Sequence, residues 1–130
     1  MITTALLFVV HQHVMGFSAE TTKHTFRTYT DGGAIVVRAL DPKDTATIGM
    51  IRHHLQMIAG RFAEGDFSDP MAVHDRPPDG AAAMTERRSY INYRYSDVPN
   101  GGRVRIRTKD KRALDAIHDF IRFQIREHKM

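Results

Sequence analysis

Apolar and polar residues alternate along positions 24–40 of this chain. Phe26 and Thr28 share one parity, Ile35 and Val37 share another, and Asp31-Gly32-Gly33 lies between the two runs. A period of two marks a strand with one buried face. Asp-Gly and Gly-Gly accept positive φ at low cost, so the segment predicts a β-hairpin turning at its glycines. Asp41-Pro42-Lys43-Asp44 follows, where proline stops strand pairing and Asp44 or Thr45 can cap a helix. Ile48, Ile51, Leu55, Ile58 and Phe62 then recur at three- and four-residue steps. That spacing predicts an amphipathic helix of about five turns, stopping near Gly65.

The same order recurs further along. Ile91, Tyr93 and Tyr95 alternate, Pro99-Asn100-Gly101-Gly102 turns, and Val104 and Ile106 return. Asp110 opens a second helix carrying Leu114, Ile117, Ile121, Gln124 and Ile125. Ile51-x-x-x-Leu55-x-Met57 overlays on Ile117-x-x-x-Ile121-x-Phe123, and Gly32-Gly33 on Gly101-Gly102. Neither hairpin can bury an apolar face alone. The expectation is an α+β fold: a duplicated ββα-ββα unit forming a four-stranded antiparallel sheet with two helices packed on one face. Residues 15–130 form the single domain, with units at about 24–65 and 88–128. The segment 66–83, with Pro70, Pro77-Pro78 and Asp79-Gly80, reads as a loop, and loops of that length often carry function.

Length and composition narrow the classes. A chain of 130 residues and 14.8 kDa holds one domain, and 42% apolar with 26% charged residues is ordinary for a globular protein. Lysine and arginine exceed acids by 19 to 15, giving +4 and a pI near 9.7. That excess is mild and does not by itself make a nucleic-acid binder. The absence of cysteine removes disulfides, thiolate metal sites and cysteine nucleophiles. Ala5 to Val10 is wholly apolar but too short to span a bilayer. It reads as part of a signal peptide cut short by the choice of start codon, with 1–14 a signal-like or flexible segment and the protein periplasmic or secreted. If Met1 is the true start, the segment suits a strand and a cytoplasmic protein.

The 8 histidines and 7 methionines are the main chemical signal. His11-Gln12-His13-Val14-Met15 packs donors together. His54 and Met57 share a stripe of the first helix with Met50 and Arg61. Met71 and His74 stand three apart in the loop, and His24 begins the first strand. Imidazole suits copper and zinc, while thioether selects copper(I). The pattern predicts a transition-metal-binding protein, copper before zinc, with ligands His54, Met57, Met71 and His74 and additions from His24, His11 and His13. Binding by neutral imidazoles would weaken below about pH 6. His118 belongs to the core or to a cleft, and His128 is structural in a last helical turn. No nucleophile accompanies His74 or His118, and no catalytic motif is present, which leans against an enzyme. The alternative is a small-molecule-binding module in the cleft between 66–83 and the helices. A homo-oligomer is compatible with either.

Arg103, Arg105 and Arg107 alternate with Val104 and Ile106, so they share one face, joined by Arg94 and in the first hairpin by Arg27 and Arg38. Such a face suits polyanions. Tyr93 and Tyr95 fall on the opposite, core-facing parity, so the stacking platform of an RNA-binding sheet is missing. From sequence alone this argues against a nucleic-acid partner.

Several strings also carry a resemblance: Met15-Gly16-Phe17, Thr22-Lys23-His24-Thr25-Phe26, Asp41-Pro42-Lys43-Asp44-Thr45, Phe62-Ala63-Glu64-Gly65-Asp66-Phe67, Gly101-Gly102-Arg103-Val104-Arg105-Ile106 and Ala116-Ile117-His118. Together they resemble a group of small, mostly uncharacterised bacterial proteins, usually with a signal peptide and a His-rich N-terminal stretch. The resemblance implies export. Some members bear an aspartate carbamoyltransferase label, but the Ser-x-Arg-Thr carbamoyl-phosphate loop is absent here. Members usually show a second histidine where Thr25 stands, which weakens a site built on that pair.

Overall fold

A computed structural model describes residues 19–68 and 77–128, and the account that follows concerns those. After a short 3-10 turn at Ala19–Thr21 come strands β1 (Thr22–Tyr29) and β2 (Gly32–Ala39) and helix α1 (Thr45–Ala63). A short helix α2 (Ala81–Glu86) and a 3-10 turn (Arg88–Tyr90) lead into β3 (Ile91–Val98), β4 (Gly101–Thr108) and helix α3 (Lys111–His128). The fold is α+β, as the patterning predicts. Its sheet is four-stranded and antiparallel in the order β1-β2-β4-β3.

The two helices start where the capping residues predict. The Asp44 carboxylate accepts from the Thr47 backbone N–H at 3.1 Å, and Asp110 from that of Ala113 at 2.9 Å. At the far end of α1, Gly65 turns with φ 83 and donates to the Phe62 carbonyl. A third helix, α2, lies where a loop is expected from Pro77-Pro78 and Asp79-Gly80. It packs on α3, with Ala81 and Met84 buried.

The glycine pairs serve a purpose other than turning. The two-residue connections are Thr30-Asp31 and Pro99-Asn100, since Tyr29 pairs with Gly32 and Val98 with Gly101. Pro99 followed by Asn100 at φ 67 has the residues of a type II turn. Gly32 and Gly101 open the central strands, and a Cβ on either would run into the carbonyl oxygen of Ile106 or Val37 on the neighbouring strand. They are glycine because β2 and β4 approach closely there.

The core lies between the sheet and helices. Val37, Val104 and Ile106 from the sheet meet Ile51, Leu55 and Phe62 of α1 and Ile117, Phe120 and Ile121 of α3. α1 packs chiefly on β3 and β4, and α3 on β1 and β2, so each helix covers mainly the hairpin it does not directly follow. Arg52 of α1 donates to the carbonyls of Gly101 and Val98, tying the helix to the β3–β4 turn. His118 donates Nε2–H to the Tyr29 carbonyl at 2.7 Å, which does the same for α3 and the end of β1.

Asp110 is also clasped by Arg87 through two hydrogen bonds, of 3.1 and 2.5 Å. Those bonds, then the Ala113 N–H, hold its carboxyl below its ordinary value of 3.8. A depressed folded value means that the stabilisation is complete above the ordinary value and lost as pH falls through the folded one. In thermal melts from pH 7 to pH 2, Asp110→Asn is expected to start lower than the wild type and to lose less across the acid range. Parallel curves would contradict this.

Candidate arginine face and its adjoining cleft

All three helices contact the sheet or one another on its apolar side, and no described element covers the opposite face. Arg27, Ala34, Arg105 and Arg94 lie in one row across that face. Tyr29, Gly32, Arg107 and Asn92 flank it on one side, and Thr25, Val36, Arg103 and Ser96 on the other. Lys23 and Arg38 occupy the last row, with Gly101 and Val98. Seven cations thus share the face, and no strand position on it carries an acid. The modest net charge of +4 conceals this segregation, because no acid sits on the strands of this face and only Asp31, from the β1–β2 turn, reaches it.

Same-face residues on an antiparallel strand are about 6.8 Å apart, so Arg103, Arg105 and Arg107 make a regular ladder along β4. Its middle rung is fixed. Arg105 donates to Asp31 and to the Gly33 carbonyl, and its guanidinium lies over the Tyr29 ring at 4.4 Å. The Arg105 hydrogen bond is the main cause that holds the Asp31 carboxyl below its usual range. Arg107 is 3.6 Å from the same carboxylate. Among the described residues no carboxylate pairs with Lys23, Arg27, Arg38, Arg94 or Arg103. Arg94 stands opposite Arg105 in the strand register, but the Arg105 guanidinium reaches the other way, to Asp31 and Tyr29.

At one end of the ladder lies an open cleft of about 490 Å³, bounded by Asp31, the turn at Ser89 and Tyr90, and β4 from Arg107 to Lys109. Tyr90 is 57% exposed. The Arg87 guanidinium covers one face of its ring at 4.5 Å, and Arg87 is itself held by Asp110. Sequence patterning misses Tyr90, Tyr29, Lys23 and Lys109. Tyr29 and Lys23 continue the arginine parity along β1, a signal available once the register is known. Tyr90 precedes its strand and has no period to reveal it. The core-facing parity of Tyr93 and Tyr95 is observed. Burial pushes the Tyr95 phenol up to about 12, helped by its hydrogen bond to Asp97, and raises Tyr93.

The histidine–methionine set is placed only in part. His11, His13, Met71 and His74 lie outside the described residues. His54 is half-buried on α1, while Met57 is exposed. His24 lies on β1 with its ring 5.1 Å from that of His128, and Phe26 stands 4.7 Å from His128. His128 donates Nδ1–H to the Gln124 carbonyl at 2.9 Å. Among the described residues no three of His, Cys, Asp and Glu are grouped so as to hold a metal ion, and no helix is long and apolar enough to cross a membrane.

No protein-family model, curated protein or solved structure matches this chain. Function is therefore argued from the site.

Proposed function

We propose that this protein binds a phosphate-rich polyanion on the arginine face of its sheet. The observation that carries this reading is the segregation of charge: seven cations on one face that no described element covers, no acid among its strand positions, and four arginines with no carboxylate among the described residues. Arginine rather than lysine predominates, as suits bidentate recognition of phosphate. The sequence alone points instead to a metal ion, because parity does not show that the arginine side is left bare.

A labelled 12-nucleotide abasic strand offers phosphates without bases, and its affinity across a salt series tests the reading. Log affinity should fall linearly with log salt, by about 0.7 for each phosphate neutralised on a single strand. Arg103→Gln should lower that slope by about the same amount. Arg94→Thr should weaken binding while leaving stability within about 0.5 kcal/mol of the wild type, since its side chain is exposed and pairs with no carboxylate among the described residues. Salt-independent binding, or affinity indifferent to both changes, overturns the proposal.

The imidazole pair favours a second reading, a copper or zinc site. His24 and His128 are brought together from distant parts of the chain, while His54 and Met57 lie on α1, which packs chiefly on the other hairpin. Titration with copper(I) and with zinc, followed by elemental analysis, should show near-stoichiometric metal that His24→Ala releases. Protein that stays metal-free overturns it.

A further inference from the structure

The cleft at the end of the ladder is not needed to hold phosphates. Arg107 belongs both to it and to the arginine face, so a strand lying along β4 is led into it. Tyr90 presents an exposed aromatic ring in this cleft, stiffened from behind by Arg87. Asn92 and Ser89 line the same space, and both carry groups able to hydrogen-bond a base edge. Lys109 adds a cation, and Asp31 is already balanced by Arg105 and Arg107. A polyphosphate has no use for an exposed tyrosine, whereas an unstacked base has a π-face to lay on it.

We infer that the polyanion is single-stranded nucleic acid, with one base stacked on Tyr90 in the cleft and the neighbouring phosphates running along the β4 arginines. This rests on the polyanion reading above. In a duplex the bases are stacked on each other, so it would offer the cleft no free π-face. The aromatic contact comes from the turn before β3 and not from the sheet, because Tyr93 and Tyr95 face the helices.

Fluorescence anisotropy with three 12-mers tests it: oligodeoxyuridylate, oligouridylate and the abasic strand. At least one base-bearing strand should bind the wild type roughly 5- to 100-fold tighter than the abasic one, the range expected for stacking one base. The tighter of the two names the sugar. Tyr90→Ala should abolish that preference while leaving abasic affinity and its salt slope unchanged, and Tyr90→Phe should retain it. Equal binding of all three strands by the wild type, or a preference that survives Tyr90→Ala, overturns the inference and leaves polyanion binding standing. Failure of the wild type to bind even the abasic strand overturns both.

Discussion

Alanine at Phe62 is expected to destabilise the protein by about 3–5 kcal/mol, the range for removing a buried phenyl ring from a packed core. The ring is 2% exposed. It stacks on Phe67 at 4.3 Å and meets Phe120 and Tyr93 edge-on at 5.7 and 5.9 Å. It therefore joins α1 to α3 and β3, and no single neighbour can move to fill its place. A domain of this size has roughly 6–20 kcal/mol in total, so the variant should fold but melt at much lower denaturant concentration. Chemical denaturation with an unchanged m-value checks this, and a loss below about 1 kcal/mol would mean that the aromatic cluster repacks.

The second large effect concerns the bare face. Replacing Arg94 and Arg103 together by glutamate removes two attractive charges and adds two repulsive ones. At about 0.1 M salt the abasic strand should bind roughly 100- to 1,000-fold more weakly, and the gap should close as salt rises toward about 1 M. The same double variant should melt close to the wild type, since both side chains are exposed and neither pairs with a carboxylate among the described residues. Titration and thermal melts on one preparation give both numbers. Unchanged affinity would remove the face from the binding surface.

Local features were legible in the sequence because they depend on neighbours a few residues away. The Ile51–Leu55–Phe62 and Ile117–Ile121 stripes predict helices that form, Asp44 and Asp110 cap them, and the Arg103–Arg107 alternation places three arginines on one face. What required the structure is set by contacts across long stretches of chain. Parity does not say that β2 pairs with β4, nor which helix lies over which hairpin. Parity alone leads one to expect Arg27 and Arg38 on the same face, but their rows beside the β4 ladder, and Lys23 with them, follow only from that pairing. The meeting of His24 with His128 has the same origin. α2 escaped because two prolines and a glycine precede its Ala-rich turn, and Tyr90 because it precedes its strand.

The exchange of helices between hairpins governs the order of events during synthesis. When the ribosome has released β1, β2 and α1, the first hairpin has no partner for the edge of β2, and α1 has only part of the sheet it is built to cover. The chain must wait for β4, and α3 is the last element of all. Folding is thus delayed nearly to the completion of the described chain. Until then a half-made product exposes an open strand edge and the apolar side of a helix, the surfaces by which a nascent chain recruits chaperones or aggregates.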